Sequence, residues 1–190
     1  MKDNGNNEES KKRGGGNGNI RLIAVCAVFT ALTCVFTMFI QVPTGPVGGM
    51  VHIGNVPLFI AAAFFGRRTG AFVGSVGMAL SDLLSGWVPW APITLITVGC
   101  MGFVYALIIN GKPTAPRLAA AYAAALAVKL AGYYIGESVM YGSLVAPLVS
   151  VPGNAVQITV GALAASPVIM LLKSTCGGLI CRLRPAGHQH

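Results

Sequence analysis

Charge is what this chain has least of. Asp, Glu, Lys and Arg together make up 9% of its 190 residues, where a soluble domain carries roughly a quarter. The shortage excludes an ordinary water-soluble core and fits a chain solvated by lipid, as do 54% apolar residues and a mean hydropathy of +0.70. No GxxxxGKS or GxxxxGKT stretch occurs, so the phosphate cradle needed to hydrolyse ATP is missing. HExxH and GxSxG are missing too, as is any cluster of aspartates able to hold catalytic metals. The five cysteines, Cys26, Cys34, Cys100, Cys176 and Cys181, are odd in number, lie mostly in apolar runs and form no CxxC. They indicate neither a disulfide framework nor a zinc site and read as small hydrophobes. No cofactor is expected, and the chain is read as a non-enzyme.

What is present is apolar length. Runs at about 20–40, 53–66, 69–85, 92–110, 117–140 and 152–173 are separated by turn chemistry: PTGPVGG, GRRTG, GWVPWAP, NGKPTAP and APLVSVPGN. The expected fold class is an all-α membrane protein of about six transmembrane helices. One such domain occupies residues 20–175, after a disordered cytoplasmic tail at 1–19 (polar, rich in Gly and Asn) and before a cytoplasmic tail at 176–190. The run from Ile20 to Ile40 is long for a signal-peptide core, and no small-x-small cleavage site closes it. The second and third runs are short against the ~20 residues of a full span, which leaves tilted spans or a hairpin open.

Orientation follows from the basic residues. With the N-terminus inside, the inner segments carry Lys2, Lys11, Lys12, Arg13, Arg21, Arg67, Arg68, Lys112, Arg117, Lys173, Arg182 and Arg184. The outer loops carry no Lys or Arg, so the distribution obeys the positive-inside rule and places both termini in the cytoplasm. The net charge of +8 forms no basic face interleaved with aromatics. It therefore points to a bilayer surface rather than to nucleic acid.

Three ionisable side chains remain in or beside the spans: Asp82, Lys129 and Glu137. Such groups are costly in lipid and face a cavity or a partner. On this topology Asp82 and Glu137 lie near the outer surface, with Lys129 roughly 12 Å deeper along the helix of Glu137. Other polar residues fall at the same outer level: His52 and Asn55, Trp87, Trp90 and Thr94, then Asn154 and Gln157 three apart on one face. Tyr133, Glu137 and Tyr141 continue the i, i+4 stripe begun by Lys129. The inner half has no comparable set, so a polar pocket opening outward is expected. Each residue also has a plainer reading: the tryptophans as an interfacial belt, Asp82 as a cap, His52 as a solvated loop residue, Lys129 as a structural pair. Gly66, Gly70 and Gly74, and again Gly132 and Gly136, form GxxxG spacings that let helices approach closely.

The stretch HIGNVPLFIAAAFFGRRTGAFVGSVGMALSDLLSGWVPWAP, from His52 to Pro92, resembles the substrate-capture (S) components of energy-coupling factor (ECF) vitamin transporters. VPGNAVQITVGALAASP at 151–167 is similar to that family's P-x-N-x-x-Q opening of the last helix, and Ala27-x-x-x-Ala31 matches its alanine docking motif. The resemblance covers about residues 20–175 and is nearest to the riboflavin-type group. Many relatives carry an acidic residue where this chain has Asn55. The resemblance implies a multi-pass protein of a prokaryotic plasma membrane that binds a vitamin or precursor from outside, under loop 1 (residues 42–51). It also implies that Ala27 and Ala31 dock on a module of one transmembrane coupling subunit and two ATPases, with toppling of the S component to release the cargo. The substrate-binding set expected on this basis is Glu137, Asn154, Gln157, Trp90, Trp87, His52, Asn55, Asp82 and Tyr141. Aromatic faces with a few polar groups suit a flat, hydrogen-bonding heteroaromatic of the hydroxymethylpyrimidine, pyridoxine or riboflavin class. A stand-alone channel or secondary transporter requires a polar path through both leaflets. A membrane enzyme built on Asp82 or Glu137 requires a nucleophile beside them.

Overall fold

In lipid, backbone polar groups must be satisfied within their own segment, and each of the six apolar runs closes into an α-helix. The computed structural model describes residues 4–43 and 50–183. Its helices are α1 (Asn4–Phe39), α2 (Asn55–Phe65), α3 (Arg67–Leu84), α4 (Ala91–Ile109), α5 (Ala115–Tyr141) and α6 (Ser150–Leu183). Short 3-10 turns at Val88–Trp90 and Ala146–Val149 lead into α4 and α6. Among the described residues, four stretches are long and apolar enough to cross a membrane: Ile20–Phe39, Val88–Ile109, Ala115–Tyr141 and Ala146–Thr175.

Among the described residues, the all-α class carries one exception, an antiparallel ribbon of β1 (Gln41–Pro43) and β2 (Met50–His52) that pairs Gln41 with His52. Helix α1 runs from Asn4, and α6 runs to Leu183. Once an apolar run has nucleated a helix, extension adds one hydrogen bond per residue fixed, so polar flanks are recruited without a new nucleus.

Helix α2 explains why one run is short. Its 11 residues rise only about 16 Å, and all but Val56 and Ile60 are buried. It packs on α1, α3, α4 and α6 and stands inside the bundle. A helix that is apolar on every side belongs in such a position, and it needs no lipid-facing length. Gly66, at φ 89°, turns α2 directly into α3 through a conformation open to glycine.

The predicted glycine faces are used for close crossings. A Cβ on Gly70 would lie 2.7 Å from Ala62 Cβ and 2.9 Å from the Gly102 carbonyl oxygen, and one on Gly102 would run into the Gly70 carbonyl. Helices α3 and α4 therefore meet backbone to backbone. Gly132 and Gly136 set α5 against Thr97 and Ile93 of α4 in the same way. The half of the bundle towards the end of α4 is filled by Phe59, Tyr105 and Tyr122, with ring centroids 4.6–5.2 Å apart, together with Met101 and Ile109.

Candidate functional site

A cavity opens at the end of the bundle where α3 and α5 finish and α2, α4 and α6 begin. It encloses about 490 Å³ of non-atom space, the open solvent at its mouth included. The charged residues Arg67, Lys112, Arg117 and Lys173 sit at the opposite end. There Arg117 donates to the Ile109 carbonyl at 3.2 Å and Lys173 to that of Pro113 at 2.9 Å.

One wall is aromatic. The turn at 88–90 is fixed by Trp87 N–H donating to the Asp82 carbonyl at 2.8 Å and Trp90 N–H to that of Trp87 at 3.0 Å. This sets the two indoles edge to face, 5.1 Å apart at 79°. Tyr141 meets the edge of Trp90 at 6.2 Å but is 37% exposed and does not line the cavity.

Facing the indoles is Glu137, buried near the end of α5. Its Oε1 accepts from Trp90 Nε1 at 3.1 Å and its Oε2 from Ser150 Oγ at 2.5 Å, so the carboxylate joins the 3-10 turn, α5 and the start of α6. Charge-assisted bonds of this kind are the stronger ones. Asn154 and Gln157, one turn apart on α6, extend the same wall.

Deeper in, Lys129 is fully enclosed. Its ammonium donates to Gln157 Oε1 at 2.6 Å and lies 5.6 Å from the Tyr133 ring centroid, close enough for cation–π attraction. Asn55 Nδ2 donates to the Gln157 carbonyl at 3.3 Å from behind. Thr94 and Tyr133 share a hydroxyl hydrogen bond of 2.8 Å. Asp82 is 7% exposed and faces the cavity, and its Oδ2 has no hydrogen-bond partner among the described residues. Beyond this level lie buried core side chains, Phe59, Met101 and Tyr105 among them.

His52, at the end of β2, closes the side of the cavity. Its Nδ1 accepts from Gly54 N–H at 3.2 Å, which leaves the other nitrogen as the N–H of the neutral ring. Burial, and then the positive charge of Lys129, hold this imidazole well below its ordinary pKa.

Of the expected site residues, Glu137, Asn154, Gln157, Trp90, Trp87, His52 and Asp82 line this one cavity. Asn55 and Tyr141 do not, the first lying behind α6 and the second at the rim. Thr94, Tyr133, Ser150 and Gly153 also line it and were not in that set. Tyr133 sits one turn before Glu137 and Thr94 one turn after Trp90, so their spacing was a usable signal. Ser150 and Gly153 gave none. Of loop 1, residues 44–49 lie outside the described residues. Ala27 and Ala31 are exposed on α1, beside Val28, Leu32 and Val35, which are 57%, 38% and 45% exposed.

A family model described as ECF-type riboflavin transporter, S component, matches residues 17–174. The chain is 29% identical over 166 residues to the thiamine precursor transporter HmpT of Lactococcus lactis subsp. cremoris (strain MG1363), a match covering 84% of this chain and 92% of that one. It is 30% identical over 108 residues to an uncharacterized protein of Pyrococcus woesei, covering 57% of this chain and 72% of the relative. A UPF0397 protein of Lacticaseibacillus casei (strain BL23) matches at 29% over 89 residues, 47% of each chain.

Proposed function

The chain belongs to the ECF-type riboflavin transporter S component family, and from that premise we propose that it captures a vitamin or vitamin precursor outside the cell and hands it to an ATPase-driven importer. The observation that carries this reading is a cavity in which indole faces, two carboxylates and two side-chain amides converge at one end of the bundle while the other half is filled with side chains. Such a lining suits a flat heteroaromatic held by stacking and a few polar contacts. The Lactococcus relative, named a thiamine precursor transporter, supports a ligand of vitamin-precursor size.

The topology we propose has six crossings and both termini in the cytoplasm. In it the cavity opens outward, and Arg67, Arg68, Lys112, Arg117 and Lys173 lie at the inner surface, in keeping with the positive-inside rule. The exposed alanine face of α1 serves as the docking surface for a transmembrane coupling subunit that brings two ATPases. Small residues are what close helix contact in lipid requires. A self-sufficient channel is disfavoured, because Phe59, Met101, Tyr105 and Ile109 fill the path that a solute would have to cross.

The decisive experiment is mass spectrometry of the small molecule retained by protein purified from cells grown on complete medium. A heteroaromatic vitamin or precursor at one per chain is expected. Folded protein that retains none, and that binds none of hydroxymethylpyrimidine, pyridoxine or riboflavin when they are added, would overturn the assignment.

A further inference from the structure

Beyond residue 9 the chain has only two carboxylates, Asp82 and Glu137, and both belong to the cavity end of the bundle. The opposite end is cationic, with neither of them near enough to balance it. There, three cations from three elements gather on one short loop. Lys112 lies in the connection between α4 and α5, Arg117 in the first turn of α5 and Lys173 on α6. Arg117 donates to the Ile109 carbonyl at 3.2 Å and Lys173 to that of Pro113 at 2.9 Å, so side chains from two helices are tied to the same 109–113 stretch. The Ile109 carbonyl also takes the backbone N–H of Lys112 at 2.9 Å, which fixes the turn.

Capping the end of α4 does not account for this arrangement. It occupies one donor of Arg117 and one of Lys173, whereas a guanidinium carries five and an ammonium three. Lys112 is exposed, and its side chain has no partner among the described residues. Like charges gathered without a carboxylate repel one another, and a counter-ion relieves that cost. The two carbonyl bonds also hold Arg117 and Lys173 in place beforehand, which lowers the ordering cost of binding an anion.

We propose that this loop binds the headgroup of an anionic phospholipid, its phosphodiester oxygens accepting from Lys112, Arg117 and Lys173. A free phosphate would meet the same donors, and the lipid is singled out by what adjoins them. One turn or less from Ile109 and Lys173, the side chains of Leu107, Met170 and Leu171 are exposed. They offer acyl chains an apolar surface that ends at the level of the cations. Basic pockets between membrane helices on the cytoplasmic side hold anionic headgroups in this way. The site stands apart from the cavity, and the proposal does not depend on the vitamin-capture reading.

The test uses the full-length protein in detergent, with phosphatidylglycerol and phosphatidylcholine of identical acyl chains as probes. Native mass spectrometry counts the lipid retained, and a melting curve reads its effect on the fold. Wild type is expected to retain phosphatidylglycerol about fivefold more strongly than phosphatidylcholine, and to gain in melting midpoint from it. Lys112→Gln combined with Arg117→Gln and Lys173→Gln is expected to abolish the preference. Lys112→Glu serves if the triple variant does not fold, because that side chain supports no contact of the fold. It is expected to lower the preference roughly twofold or more. Equal retention of the two lipids by wild type, or a preference that survives in the variants, overturns the site. Inorganic phosphate that raises the melting midpoint as far as phosphatidylglycerol does also overturns it, since the donors would then serve a soluble anion. A triple variant that keeps the lipid preference but no longer copurifies with ATPase subunits makes the loop a protein-docking surface and overturns it too.

Discussion

Trp90 Nε1 donates to Glu137 Oε1 at 3.1 Å across 47 residues of sequence, so the aromatic wall and the acidic wall of the cavity are positioned by one another. Glu137→Ala is therefore expected to weaken ligand binding in two ways, by removing an acceptor and by releasing the indole. We expect a loss of at least ~1 kcal/mol, with a similar loss for Asn154→Ala and a smaller one for Trp90→Phe. Isothermal calorimetry on folded variants checks this, and unaltered affinity in both alanine variants would remove these residues from the site.

Lys129 is enclosed beside the cavity and holds one of its lining residues, Gln157. Lys129→Met keeps most of the stem but strips Gln157 Oε1 of its charged donor, a bond worth roughly 1.5–3 kcal/mol. The melting midpoint in detergent should fall, and ligand should restore part of it by binding only the folded form. A midpoint equal to wild type would mean that the buried ammonium contributes nothing to the fold.

His52 gives the fold a pH dependence with a definite sign. Its folded-state pKa lies well below the ordinary imidazole value of 6.5 because burial and Lys129 disfavour the charged ring. Above that ordinary value the ring is neutral in both the folded and the unfolded chain, and stability does not depend on it. As the pH falls below it, the unfolded chain takes up a proton that the folded one resists, so stability declines. Melting midpoints should drop between pH 7.5 and 5.5, and His52→Asn should flatten that part of the profile.

The alanine face of α1 separates docking from binding. Ala27 and Ala31 are exposed and far along the chain from the cavity residues, so Ala27→Leu with Ala31→Leu should leave ligand affinity of the isolated protein within twofold. Uptake by whole cells should collapse, since close helix contact needs small residues. Normal uptake by the double variant would remove this face from the transport cycle.

Topology is open to single-cysteine labelling. In intact cells an impermeant maleimide should reach positions 143–145 and spare positions 112–115, which the proposed orientation puts inside. The opposite pattern would turn the cavity toward the cytoplasm.

Much of this architecture was legible in the sequence, because hydropathy and turn residues mark helices in lipid more plainly than they do in water. The runs at 92–110 and 117–140 reappear almost unchanged as α4 and α5. Helix α2 was harder: a run of 14 residues reads as a weak span, and only packing shows that α1, α3, α4 and α6 surround it. Among the cavity residues, those with a helical spacing could be found, such as Asn154 with Gln157. Ser150 could not, because a serine in a polar loop carries no sign that it will meet Glu137 across 13 residues. Asn55 reads in the sequence as a cavity residue, but its side-chain amide turns to the backbone carbonyl of Gln157.

The contact between Gly70 and Gly102 has a mechanical consequence. Two helices whose backbones touch can neither slide nor separate without losing every contact along the crossing, so α3 and α4 behave as one beam. Gly132 and Gly136 fasten α5 to the same beam, against Thr97 and Ile93 of α4, so Asp82, Thr94 and Glu137 are mounted on it, whereas Ser150 and Asn154 belong to α6. A ligand arriving between them meets a fixed jaw and an adjustable one. Whatever closing motion accompanies capture is taken up on the α6 side, and a spin-label pair spanning Thr94 and Asn154 would record it while a pair within α3 and α4 stayed still.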